Sequence, residues 1–416
     1  MEAFGVMTDF ERRLRAAMES AVAGEQPPRN LVQQVRRRHR WHTARVGVAG
    51  AAAVAVVAVL VPVGVGAFGH GSGPAGRHRP KIAPTVYVAY PNLDKAGTIL
   101  PISIATNTPG KPIHLRFSGV SVITPDGRTL YVATGDAVVP ISTATNTPGK
   151  PIHIGTSRAF EISINPDGKT AYVIGFLKDT ITPLNIATNT PGKPFHVRIG
   201  IFPTSIAFTP DGKTAYIGTV GDTITPINTA TNTLGKPVHV GAGGDDMAIT
   251  PDGRTAYVGG NDAVTPISTA TNTAGKPIPI SRPESDIAIT PDGKTVYVGS
   301  ASTVTPISTA TNTAGKPIRI GRPVLDMAIT PDGKTLYVAN PEGPPGAVTP
   351  ISTATNTAGK PIRIGASLVI AITPDGKTLY TAALNKVVPI STATNTAGEP
   401  IRHVPFGYPR EIVITP

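Results

Sequence analysis

The stretch DIAITPDGKTVYVGSASTVTPISTATNTAGKPIRI, residues 286–320, decides the fold. It opens on a short apolar run, 286–290. Pro291-Asp292-Gly293-Lys294 then reads as a turn: proline presets φ, Asp292 can bond its own backbone, and Gly293 supplies a positive φ. Thr295-Val296-Tyr297-Val298 is β-branched and aromatic and suits a half- or fully buried strand. Gly299-Ser300-Ala301-Ser302 interrupts it, and 303–309 is the third strand. Ala310-Thr311-Asn312-Thr313-Ala314-Gly315 predicts a second turn, because Asn and Gly enter the left-handed region. Residues 316–320 form the fourth strand, where Pro317 and Arg319 suit a protected edge. No segment has the length or the 3.6-residue spacing of a helix.

The same phrase returns from Thr85 to Pro416. Its tyrosine marks each copy: Tyr87, Tyr131, Tyr172, Tyr216, Tyr257, Tyr297, Tyr337 and Tyr380. A four-stranded antiparallel unit of about forty residues, repeated in this way, predicts a closed all-β propeller. Eight blades are expected, with seven as the alternative; an open β-solenoid would not explain the ends. The first copy starts at its second strand, Thr85-Val86-Tyr87-Val88. The last residues, Glu411-Ile412-Val413-Ile414-Thr415-Pro416, read as a first strand, so the C-terminus is expected to complete the opening blade.

The unit PDGKTxYV followed by VTPISTATNT resembles the YVTN family of propeller repeats, which includes YncE-like and surface-layer-type proteins. The resemblance covers residues 85–416. It implies an extracytoplasmic binding or structural protein, with a DNA-binding relative and lactonase-like enzymes sharing the architecture. The family's usual third-strand Asp is absent: Ile307-Ser308-Thr309 stands there. Pro306 and its equivalents are also unusual and remove one ladder donor per blade.

Residues 1–84 differ. No Lys precedes Lys81, and residues 46–68 carry no charge, long enough to span a bilayer as a helix. The arginines before it, among them Arg36, Arg37, Arg38, Arg40 and Arg45, predict a cytoplasmic N-terminus and an external propeller. A cleaved signal peptide is the rival reading, disfavoured by the long apolar core and the 45-residue lead. The expected organisation is therefore a basic cytoplasmic segment, 1–45; a signal-anchor helix, 46–68; a Gly/Pro-rich stalk, 69–84; and the propeller, 85–416.

The chain has no Cys, which excludes disulfides and thiolate metal sites. Its net charge is +12, but much of this precedes the repeats, so the high pI argues little for nucleic-acid binding. In a propeller the turns segregate to two faces. One face gathers the loops between second and third strands and between blades. There the residues opening the innermost strands include Glu161, Asp246, Asp286, Asp326 and Glu411, a ring that could hold a divalent cation at the channel mouth. The bland alternative is a solvated rim. The other face carries the PDG turns and the lysines of the GKP segments, Lys111, Lys150, Lys193, Lys236, Lys276, Lys316 and Lys360, which could dock an envelope polyanion, a glycan or DNA. No aromatics interleave with them.

His114, His153, His196 and His239 share one register on the outermost strand, too far apart for a shared metal. No nucleophile–base pair, HExxH, GxSxG, Walker or dinucleotide fingerprint occurs. The expected function is thus a membrane-anchored, monomeric, non-catalytic module without a resident cofactor that binds an envelope protein, glycan or polyanion. A lactonase-like hydrolase or lyase with a cation at the channel mouth, or a polyanion or DNA binder using the lysine face, stands as the alternative. Repeat symmetry breaks at 90–95, 175–178 and 341–345, all on the acidic face, which makes that face the expected binding side.

Overall fold

A computed structural model describes residues 83–416, apart from 91–96, 117–119, 156–158, 176–179, 198–202, 220–221, 242–245, 261, 281–282, 341–345, 366–368, 384 and 403–408. By contacts the chain divides into two units, Met1–Gly50 and Ala51–Pro416, and everything described belongs to the second. The expected signal-anchor at 46–68 lies outside the described residues. Among the described residues no helix is long and apolar enough to cross a membrane.

The repeats form eight antiparallel sheets, the blades of an all-β propeller. We number them from Thr85. In blade 6 the strands Pro283–Ile289, Thr295–Ser300 and Thr303–Ser308 run as the sequence predicts. The fourth strand differs. The turn closes at Asn312, and the strand comes in two pieces, Thr313–Ala314 and Ile318–Arg319, both paired with the third strand. Three residues, 315–317, thus bulge opposite Thr305 and Pro306. The reason is local: neither Pro306 nor Pro317 has an N–H to give the ladder, and the Gly315 N–H instead reaches Pro306 O at 2.7 Å.

Ring closure is as the sequence predicts. Glu411–Ile414 pairs antiparallel with Thr85–Tyr90, Val86 opposite Ile414 and Ala89 opposite Glu411. Two further bonds seal the corner: Thr85 N–H donates to Thr415 Oγ1 at 2.8 Å, and Thr415 N–H to Thr85 O at 3.0 Å.

The apolar core is divided among the seams between blades. Between blades 6 and 7, for example, Ala288, Tyr297 and Val304 meet Met327, Leu336, Val338 and Ile351. In six of the eight blades a threonine hydroxyl ties the two turns of the lysine face together. In blade 6, Thr309 Oγ1 donates to Gly293 O at 2.7 Å, and Gly293, at φ +70°, lies against Pro251 of blade 5, where a Cβ would come within 3.2 Å of the ring.

Candidate functional site

The innermost strand of a blade is a sheet edge, whose channel-side N–H groups must find partners outside the ladder. The carboxyls predicted to ring the channel mouth meet this problem. Asp286 Oδ2 accepts from Met327 N–H of the next blade at 2.6 Å. Asp326 Oδ2 accepts from Ile370 N–H at 2.8 Å. Glu411 Oε2 accepts from both Ser121 N–H, at 2.6 Å, and Ser121 Oγ, at 2.7 Å. Each carboxyl therefore reaches from its own inner strand to the following one.

This places the predicted residues differently from an open rim. Glu161, Asp286, Asp326 and Glu411 are 2, 3, 7 and 6% exposed; Asp246 is half-buried. Nor do they make a metal site: among the described residues no three His, Asp or Glu side chains gather in a way that could hold an ion.

The electrostatics follow from burial. Asp286 and Asp326, on neighbouring inner strands, act on each other electrostatically. Burial, then the Asp326 charge, raises Asp286 well above the carboxylate range. Burial pushes Asp326 up to about 7, against the pull of the Ile370 N–H. Burial likewise pushes Glu411 up to about 7, with Ser121 and Arg410 opposing. Glu161 is raised by burial and then by the Glu411 charge, and Arg410 lowers it in part. Four carboxyls from blades 6, 7, 1 and 3 are thus electrically linked around the channel. Near neutral pH the set can take up or release protons, which is the ordinary requirement for acid–base chemistry.

On the opposite face the two kinds of cation separate. Six of the seven PDG cations pair within their own turns, as Lys294 Nζ with Asp292 at 3.3 Å, Lys334 with Asp332 at 3.5 Å and Arg128 with Asp126 at 3.7 Å. A hydrogen bond from Thr290 holds Asp292 below the ordinary carboxylate range. The GKP lysines, Lys111, Lys150, Lys193, Lys236, Lys276, Lys316 and Lys360, are all exposed. None has an acidic partner among the described residues.

The outer histidines stay apart, one per blade. His114 Nδ1 meets Thr98 Oγ1 at 3.2 Å, and His153 and His239 lie 3.6 and 3.5 Å from Asp136 and Asp222.

One recurring pair escaped the sequence reading. The Tyr of each blade donates its hydroxyl to the turn Asn of the next: Tyr87 to Asn146, Tyr257 to Asn312 and, across the closure, Tyr380 to Asn107, each at 2.6 Å. All eight of these Asn hold φ between 52 and 55°. The signal was present as two residues recurring at fixed positions. Read blade by blade, Tyr looked like packing and Asn like turn chemistry.

No family model matches the chain, and no curated protein matches it. Solved structures do. The hydrazine synthase of Kuenenia stuttgartiensis is 20% identical with a TM-score of 0.51, over 68% of this chain and 95% of that one. The dihydro-heme d1 dehydrogenase NirN, solved in complex with DHE, is 15% identical with a TM-score of 0.69, over 83% of this chain and 77% of that one. At these identities the likeness shows the propeller fold alone. It nevertheless corrects two expectations from the sequence, a non-catalytic module and the absence of a cofactor. Both structures bear the names of enzymes, and one holds a bound group, so the architecture gives no ground for either expectation. A haem of the kind named for NirN does not fit the residues described here. The described inner strands carry no His, the chain has no Cys, and the two methionines on inner strands are packed into seams, Met327 between blades 6 and 7 and the half-buried Met247 between blades 4 and 5.

Proposed function

We propose that the propeller is the body of an enzyme that handles a small polar substrate at the carboxyl-bearing end of its channel by proton transfer. The observation that supports this is the linked set Asp286, Asp326, Glu411 and Glu161. It is buried, and two of its members titrate near neutral pH. Glu411 Oε2 accepts from both the Ser121 N–H and its hydroxyl, so this carboxyl is held in a fixed orientation. The enzyme names of the two similar structures favour a catalytic reading; the assignment to proton transfer rests on this chain's own carboxyls. The same proposal keeps the kinship to YVTN-type repeats, a tether at 46–68 and a monomeric propeller outside the cell. A chain resisting alkaline carbonate extraction from membranes supports the tether.

The function is tested by incubating the purified full chain with fractionated small-molecule extract and following depletion by mass spectrometry across pH 5–9. The expected result is a depleted compound with a rate profile inflecting near pH 7. Asp326→Asn and Glu411→Gln, each shown folded by circular dichroism, should abolish the depletion. Equal turnover by both variants overturns the reading, and so does the absence of any depleted compound.

A further inference from the structure

At the rim between blades 7 and 8 lies an open groove of about 420 Å³. One wall is the GKP segment of blade 7, with Lys360 and Pro361 above Pro350. The other is the turn of blade 8, Thr394, Asn395 and Thr396. Three features make it a prepared surface. Lys360 is exposed and has no acidic partner among the described residues, whereas the PDG lysines Lys213, Lys294, Lys334 and Lys377 are paired within their turns. Thr394 and Thr396 set their hydroxyls 2.7 Å apart on the exposed turn. The turn itself is fixed from beneath, because Asn395 sits at φ 54° and accepts the Tyr337 hydroxyl.

The same elements recur around the ring. An exposed threonine pair, 2.6–2.8 Å between hydroxyls, occurs in every blade, for instance Thr145 with Thr147 and Thr311 with Thr313. A GKP lysine occurs in seven blades, and Glu399 replaces it in the eighth.

We propose that these inter-blade grooves dock an acidic polysaccharide that runs from blade to blade along the lysine face. Lysine ammonium groups suit its carboxylates, and paired hydroxyls suit sugar hydroxyls. Proline rings offer an apolar bed for the C–H face of a sugar. The groove is partly open to solvent. It contains no aromatic side chain, so a base of a nucleic acid would find no stacking partner. Weak contacts repeated at several grooves gain affinity through effective concentration. This inference stands on the face opposite the buried carboxyls and is independent of the proposed chemistry there.

The test is the affinity of the full chain for polygalacturonate, measured beside neutral pullulan and a single-stranded oligonucleotide of matched charge. Polygalacturonate should bind at least tenfold more tightly than either. Replacing Lys276, Lys316 and Lys360 by Gln should weaken it by tenfold or more. Glu399→Lys, which completes the ring of cations, should strengthen it two- to threefold. Unchanged binding in the lysine variant, or a loss of affinity in Glu399→Lys, overturns the proposal. An oligonucleotide that binds as tightly as the polysaccharide overturns it too, since charge alone would then suffice.

Discussion

Asp326 and Glu411 show how a single side chain couples stability to pH. Unfolded, a carboxyl titrates near pH 4; in the propeller both titrate at about 7 because burial penalises the charged form. The folded state therefore holds more protons than the unfolded state between these values. Stability is complete below about pH 4, falls as pH rises through about 7 and is level above. A shift of this size corresponds to roughly 4 kcal/mol per group before relaxation. Urea midpoints at pH 5 and pH 8 should accordingly fall in that order, and Asp326→Asn combined with Glu411→Gln should flatten the difference. A midpoint that rises with pH contradicts the burial argument. The Tyr257–Asn312 bond makes a second prediction. Tyr257→Phe removes one inter-blade hydrogen bond and should cost about 1–2 kcal/mol in urea unfolding. Asn312→Ala should cost about 1 kcal/mol more than Asn312→Gly, since both lose the acceptor but only Ala is strained at a positive φ.

Strands and turns were the part most legible in the sequence. Pro291-Asp292-Gly293 announces its turn because each residue fixes a backbone angle or bond by its own chemistry, and Thr295-Val296-Tyr297-Val298 announces its strand for the same reason. The split fourth strand was less legible. Pro306 and Pro317 each signal a missing donor, but the bulge exists because both fall in the same gap of the ladder, between the Val304–Ile318 and Ile307–Ala314 pairs. The carboxyls were the hardest. Asp286 and Glu411 look like loop-edge residues, and their burial depends on an N–H supplied by a different repeat, about forty residues away for Asp286 and at the other end of the propeller for Glu411. The closing strand gives this scale its own prediction. Deleting residues 411–416 uncovers the inner edge of blade 1 and removes the bond to Ser121. The melting temperature of the full chain should drop by ten degrees or more, as read by near-ultraviolet circular dichroism. An unchanged melt would mean that the strand does not close the ring.

For the molecule as a whole, the repeat unit is also the unit of assembly. Every seam sends a tyrosine forward to the turn asparagine of the next blade, and six of the seven PDG glycines lie back against a proline of the preceding blade, Gly212 meeting Asn165 instead. Blade 1 obeys this grammar although its first and second strands are not consecutive in the chain. In blade 5, Thr255 N–H meets Thr250 Oγ1 at 3.1 Å and Thr250 N–H meets Thr255 O at 2.9 Å, spanned by Pro251-Asp252-Gly253-Arg254. Thr85 and Thr415 make the same two bonds with no covalent bridge between them. Splicing Asp-Gly-Lys between Pro416 and Thr85 would therefore supply the one missing hairpin, and the polypeptide could be opened at any other hairpin instead. Such a circular permutant would keep the barrel of blades intact while moving its two free ends to a blade of the engineer's choosing.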